Sequence, residues 1–536
     1  MWQQIYLPIG GSLPASALVA GLPVFTLLLL LGVFRKPAWM AGLAGLATAM
    51  VVSLFVYGMP ASAVFGAVTY GAAFGLLPIG WIVFSAILLY RITLETGNFE
   101  IVKNSVGNLT PDRRLQALLI AFAFGAFIEG AAGFGSPVAV AAAMLTGLGF
   151  SPFYAAGICL LANTAPVAFG SIGIPVITLA GTTGLPLKEL SAQVGRICAP
   201  ISFFIPAYLI LVMGGWKALR GVLPAALLCG GAFAGVQFYV SNYIGAELVD
   251  ITSSLAAIGS LVILFKVWKP KDTFHMEGEI TAAPGKTMYS ASQLLRAWLP
   301  YLLLIAFVLV WGQESVKPYL NAVSVSIPWP GLHNLVERVP PAVPTSAPYA
   351  AVYNFNWLSA SGTACLFAAI TAAFCLGVSV RQFGGMLVTT TRQLALSLLT
   401  IASVLGLAFL MNYSGATATL GLAFASTGPV FPFFSAMLGW LGVFLTGSDT
   451  SANALFGNLQ VVTANSLGLD PVMMASANSS GGVMGKMISL QSIAVAAAAT
   501  GMAASDEAKL FRFTLRHSIF LASLIGVLTM IYAYAG

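Results

Sequence analysis

Three ionisable residues, set among small polar ones, are the places where this chain could do chemistry. Glu129 opens Gly130-Ala131-Ala132-Gly133-Phe134-Gly135. Asp449 lies within Gly447-Ser448-Asp449-Thr450-Ser451-Ala452-Asn453. Lys486 follows Asn478-Ser479-Ser480-Gly481-Gly482 and precedes Gln491-Ser492. Apolar runs such as Trp440 to Leu445 and Ile493 to Ala499 flank these clusters, which places them at membrane depth. An unpartnered Lys or Asp costs roughly 2.5–3.5 kcal/mol there. Irregular backbone is tolerated at that depth only inside protein or along a wet cavity. The chemistry such a set can perform is the holding of a small anion between helix ends. Lys486 would anchor a carboxylate. Ser448, Ser451, Asn453, Asn478, Ser479, Gln491 and Ser492 would supply donors, and Asn163, Thr164 and Ser171 the opposite wall.

Each residue also has a structural reading. Glu129 and Asp449, the two acidic residues of sixteen that fall outside loops and turns, would either cap the N-terminus of a half-helix or carry a proton, since burial disfavours a carboxylate's charged form. Lys486 would either pair with one of them or await an anion. Asn163, Asn453 and Asn478 would either satisfy the carbonyls of broken helices or face a ligand. Gly130, Gly133, Gly135, Gly447, Gly481 and Gly482 read as backbone hinges. The Gly130–Gly135 run has neither the Lys-Ser/Thr ending nor the preceding strand of a phosphate loop, which argues against a nucleotide. The three histidines, His275, His333 and His517, lie in loops. That leaves no metal site by spacing, no expected cofactor and no membrane-depth base for a serine hydrolase.

The elements that must position these residues are membrane spans. Of 536 residues 59% are apolar and only 7% charged, and at about 20 residues per crossing the length allows some ten to fourteen helices. Spans are expected at about 13–34, 40–57, 64–90 (interrupted by Pro78), 222–239, 251–265, 298–311, 357–376 and 394–411, with a last one to the C-terminus. Glu247 and Asp250 fall in the turn between the fourth and fifth of these. Two long blocks, 116–184 and 412–501, are apolar but broken by the polar clusters. The five cysteines fall in or beside apolar runs and read as packing residues. The net charge of +7 does not imply nucleic acid, because the basic residues sit in short loops between spans.

Charge asymmetry sets an orientation. With Arg35-Lys36 inside, the inside loops hold 18 of the 23 Lys and Arg residues, as the positive-inside rule requires, and both termini face outside. The two broken blocks resemble one another. Phe127-Ile128-Glu129-Gly130 matches Phe444-Leu445-Thr446-Gly447, Gly149-Phe150-Ser151-Pro152 matches Gly468-Leu469-Asp470-Pro471, and Asn163-Thr164 with Gly170 matches Asn478-Ser479 with Gly485. By the crossing count one block enters from inside and the other from outside. The expected fold is therefore an all-α polytopic membrane protein with two inverted repeats whose broken or re-entrant helices meet near the midplane. Its parts are N-terminal spans 1–63, a first repeat 64–213, connecting spans with a cytoplasmic loop 214–297, and a second repeat 298–536.

At Glu129 to Gly135, Asn163 to Gly170 and Gly439 to Ser451 the chain resembles the bacterial L-lactate permease family. The likeness extends through Trp2-Gln3-Gln4, Leu109-Thr110-Pro111-Asp112, Asn412-Tyr413-Ser414-Gly415 and Gly485-Lys486-Met487-Ile488-Ser489. This resemblance implies an inner-membrane symporter coupling entry of lactate, and often glycolate, to protons. The implied partners are a monocarboxylate, protons and the bilayer, and the oligomeric state stays open. One departure is Leu490, where the pattern leads one to expect Pro. Leu would leave the helix free to start earlier and so alter the donors around Gln491. The residues alone reach only a secondary transporter for a small anion. Rival readings are a sodium-coupled carrier of another carboxylate, an anion channel and an intramembrane hydrolase.

Overall fold

The computed structural model describes residues 1–107, 109–133, 135–272, 274 and 289–535, and for 504 and 505 the backbone only. Residues 273 and 275–288 of the charged loop expected at 266–296, His275 included, lie outside the described residues. Apolar sequence in a bilayer must satisfy every backbone N–H and C=O within the segment, and these runs do so as helices. They are α1 (Leu13–Gly32), α2 (Ala38–Phe55), α3 (Ala61–Glu95), α4 (Asn98–Gly107), α5 (Arg113–Ala131), α6 (Ser136–Gly147), α7 (Pro152–Ala162), α8 (Gly170–Thr183), α9 (Leu187–Tyr243), α10 (Val249–Val267), α11 (Ala291–Gly312), α12 (Ser361–Cys375), α13 (Val380–Ser414), α14 (Ala416–Ala425), α15 (Phe431–Thr446), α16 (Asp449–Leu467), α17 (Pro471–Gly485), α18 (Leu490–Thr500) and α19 (Ala504–Ala535). Among the described residues ten helices are long and apolar enough to cross a membrane, and up to twelve if each bent pair counts as one span. The chain is a polytopic all-α membrane protein.

Interruptions fall where the sequence marks them. Pro78 lies in a widened turn of α3 where Leu77 leaves helical geometry, and Gly214 and Gly215 kink α9, because Pro withholds a donor and Gly tolerates irregular backbone. Helix α13 also takes in Arg381 to Arg392, between the spans expected at 357–376 and 394–411. A capping box formed by Ser379 and Gln382 starts it, and such reciprocal caps support a polar first turn. Outside the helical body, Trp2–Gln3 pairs in parallel with Val336–Arg338, which pairs with Ala347–Pro348. Val325–Pro328 pairs with Val352–Phe355. The first of these sheets ties the N-terminus to the Pro-rich 313–356 loop.

Each broken block has the same order of elements. In the first, α5 and α6 pack side by side and join at 132–135. Then α7 and α8 form a span bent by 63° around 163–166. In the second, α15 and α16 pack together and join at Gly447-Ser448. Helices α17 and α18 form a span bent by 42° at Ser489. The blocks interlock, since α8 packs on α16 while α18 packs on α6 and α7. The Asn163–Asn478 match falls on unlike positions. Asn163 is the C-cap of α7, at the bend, whereas Asn478 lies two turns inside α17. Helix α18 begins at Leu490, directly after its N-cap Ser489. That is the first helical position, where Pro is also at home, so Leu490 brings no earlier start.

Antiparallel to α5 runs α10. One end of the pair is held by Arg114, which is fully buried and donates to both Asp112 and Asp272 at 2.8–3.2 Å. The Arg114 guanidinium in turn holds the Asp272 carboxyl, in the loop beyond α10, below its ordinary range. At the other end Gly130 of α5 meets Asp250 in the first turn of α10.

Candidate functional site

Both bends and both tips converge on one cavity of about 180 Å³. A water's share of the liquid is about 30 Å³, so the space suits a solute of a few heavy atoms. Its wall includes Glu129, Gly135, Ser171, Gly447, Ser448, Asp449, Ser451, Lys486, Gln491 and Ser492. Leu27, Leu31, Ser397, Thr400, Ile401 and Val404 of α1 and α13 close the facing side. The wall there is mainly apolar, with the hydroxyls of Ser397 and Thr400 set into it, and it is polar at the helix ends.

Three helix N-termini border this space: α8 through Gly170 and Ser171, α16 through Ser448 to Ser451, and α18 through Gln491 and Ser492. Their partial positive charges favour an anion. Ser448 caps α16 by accepting from the Ser451 N–H at 3.2 Å, and Ser489 caps α18 by accepting from the Ser492 N–H at 3.2 Å. At the start of α8 the backbone is left-handed over Ser171, Ile172 and Gly173, with φ of 47°, 62° and 76°. For the two non-glycine residues this costs roughly 1–2 kcal/mol each. It turns the Ser171 hydroxyl to the Ala132 carbonyl, 3.2 Å away, and lets Gly173 approach Ala246 more closely than a Cβ would allow.

Lys486 donates to the Gly447 carbonyl at 2.7 Å, at the C-terminal end of α15, where a cation is favoured. It forms no ion pair among the described residues. Asp449 is 3% exposed. Its Oδ2 accepts from Ser479 at 2.8 Å and from Asn453 at 3.3 Å, while Oδ1 has no partner. Because Ser448 is the cap, Asp449 does not serve that purpose. Asn453 also donates to the Pro175 carbonyl at 3.1 Å and to Ser479 at 3.0 Å. Its own carbonyl accepts from Asn478, which accepts from Gln460 at 3.0 Å. This buried network ties α16 and α17 to the start of α8.

Glu129 lies in the last turn of α5, the end of a helix that disfavours a carboxylate, so it is no N-terminal cap. It leans on Gly170, where a Cβ would press on the carboxyl group, and its Oε2 is buried without a partner. Asn163 lies beside it. That neighbourhood is close but not a hydrogen bond, since neither Asn163 amide atom meets the distance and angle for one.

Several expected site residues stand off the cavity. Asn453, Asn478 and Ser479 form the network behind Asp449. Thr164 donates to Leu161 within its own turn at 2.8 Å. Of the glycines read as hinges, Gly133, Gly135 and Gly447 have positive φ at the two tips. Gly130, Gly481 and Gly482 lie within helices and instead let neighbours approach: Asp250 at Gly130, the Ala436 carbonyl at Gly481 and Asp449 at Gly482. A helical glycine carries no local mark of which task it has.

The sequence reading missed two sets of residues. Ser397 and Thr400 lie in the middle of a long apolar helix, and nothing local distinguishes them. Asp250, placed in a turn, is 1% exposed in the first turn of α10, and neither carboxylate oxygen has a partner. Its nearness to Glu129 depends on the antiparallel packing of α5 and α10, which no sequence spacing encodes.

The L-lactate permease family model matches residues 16–536. An L-lactate permease of Bacillus subtilis is 49% identical, over 99% of this chain and 98% of its own. The glycolate permease GlcA of Escherichia coli is 45% identical over 99% and 98%. An L-lactate permease of Escherichia coli is 43% identical over 100% and 98%. These relatives are permeases rather than enzymes, and similarity at this level over the full chain decides the assignment. The chain belongs to the L-lactate permease family.

Proposed function

We propose that the chain imports L-lactate, and with it D-lactate and glycolate, together with protons across the bacterial inner membrane. The observation that carries this reading is the meeting of Lys486, Glu129 and Asp449 with three helix N-termini around one small cavity. Lys486 and the N-termini would hold the carboxylate. Ser448, Ser451, Gln491 and Ser492 would reach its hydroxyl, and the α1 and α13 side chains would cover its apolar end. A carboxylate entering a negative interior works against about 2.3 kcal/mol per 100 mV, and one accompanying proton removes that cost. Glu129 is our first candidate for the proton carrier, because it faces the cavity without the hydrogen bonds that hold Asp449.

The common order of hairpin and bent span supports reading the blocks as repeats. We place them in opposite orientations, within halves 64–213 and 298–536, with both termini periplasmic. Uptake of labelled lactate into liposomes tests the function, under an imposed pH or sodium gradient and with glycolate or pyruvate as competitor. Accumulation on the pH gradient, reduced by glycolate, is the expected result. Accumulation that follows sodium, or a single-channel conductance, would overturn it.

A further inference from the structure

The segment that joins α9 to α10 enters the interior beside the first bend. Ala246, Leu248, Val249 and Asp250 are all buried. Two glycines make room for it. A Cβ at Gly130 would stand 2.7 Å from Asp250 Cβ, and one at Gly173 would stand 2.7 Å from the Ala246 carbonyl oxygen. Asp250 is thereby pressed against the residue that follows Glu129. Its two oxygens have no partner, and Glu129 Oε2, equally buried, has none.

A structural carboxylate in the first turn of a helix would accept backbone N–H groups. Asp250 accepts none. No cation pairs with it among the described residues. The titratable groups that reach it are Glu129 from α5 and Cys198 from α9, and α8 brings none. Glu247, on its own segment, turns away to accept from Ser361 at 3.1 Å. On the far side of Glu129, Lys486 acts on both the Glu129 and the Asp449 carboxylates across the cavity. Two carboxylates in one desolvated space cannot both carry charge without strong repulsion, so such a pair favours keeping one proton on one or other of its members.

We propose that Asp250 is a second proton-carrying residue of the transport cycle and exchanges one proton with Glu129. The proposal rests on the proton-coupled reading above. In the exchange the two side chains rotate into contact and the O–H bond of one carboxylic acid breaks as that of the other forms, so the charge of the pair is unchanged and nothing else is consumed. Glu129 lines the cavity and Asp250 does not, so a proton held on Asp250 reaches Glu129 without crossing the substrate.

The test uses the full-length protein in liposomes and reads two rates for each variant, lactate counterflow without a gradient and accumulation on a pH gradient. For Asp250→Asn the ratio of accumulation to counterflow should fall at least tenfold, as for Glu129→Gln, and the double variant should fall no further than either single one. An unchanged ratio in Asp250→Asn, beside a collapsed ratio in Glu129→Gln, would overturn the role of Asp250 and leave proton coupling standing. An unchanged ratio in Glu129→Gln would remove Glu129 as a proton carrier, and this exchange with it, and move the coupling role to Asp449. Should Asp250→Asn not reach the membrane, Asp250→Glu decides. It keeps an acid at a new distance and should shift the pH profile of accumulation, and an unshifted profile would sink the proposal.

Discussion

At the scale of single residues the cavity divides its labour unevenly. An ammonium group has three donors, and Lys486 commits one of them to the Gly447 carbonyl. The others are available to a carboxylate. A hydrogen bond to a charged group is worth about 1.5–3 kcal/mol, which is roughly 10- to 100-fold in affinity. We expect Lys486→Gln to insert and fold yet bind lactate at least tenfold more weakly, as read by the thermal shift that lactate induces. Unchanged affinity would place the anchor elsewhere. The two carboxylates should differ. Glu129→Gln mimics the protonated acid and should still exchange lactate while losing accumulation on a pH gradient. Asp449→Asn disturbs the bonds to Ser479 and Asn453 and should lose both activities. Proton-driven accumulation by Glu129→Gln would move the coupling role to Asp449. These three ionisable residues were legible in the sequence because their types are rare at membrane depth. The roles of Asn453 and Asn478 were not, because an amide shows its task only through its partners.

At the scale of elements, glycine does two jobs that look alike in sequence. At Gly447 it supplies the left-handed turn between α15 and α16, with φ of 72°. At Gly439 and Gly481 it lets α15 and α17 touch backbone to backbone, since a Cβ at either would fall on a carbonyl of the other helix. Small residues at such crossings replace the hydrophobic drive that lipid does not supply. Gly481→Val should therefore destabilise the fold by about 1–3 kcal/mol, the usual cost of overpacking. Thermal unfolding in detergent would register this as a lowered Tm, and an unchanged Tm would show that the helices can separate without penalty. The bends themselves were visible beforehand, from Asn163 to Gly170 and from Gly485 to Ser492, because polar and glycine residues interrupt apolar runs. Their geometry was not, since the three left-handed residues at Ser171 to Gly173 depend on the approach of Ala246.

At the scale of the whole molecule, the spans followed from hydropathy because a bilayer leaves the backbone few alternatives. The short strands of the 313–356 region were not foreseen, as one pairs with the distant Trp2–Gln3 and the others close within a Pro-rich loop. Orientation is a different kind of inference. It rests on the crowding of Lys and Arg into alternate loops, a bias set during insertion rather than by packing. If the two blocks run in opposite senses, the first leaves the membrane where α9 begins and the second leaves on the opposite face where α19 begins. Lys188 and Lys509 are both exposed at those points. Single cysteines at each position, in a background lacking Cys159, Cys198, Cys229, Cys365 and Cys375, can be challenged with a membrane-impermeant thiol reagent. In intact cells the cysteine at 188 should react and the one at 509 should not, and in inside-out vesicles the pattern should reverse. Reaction of both from the same side would mean that one block crosses an odd number of times more than the hairpin and bent span allow. The inverted arrangement would then have to be abandoned.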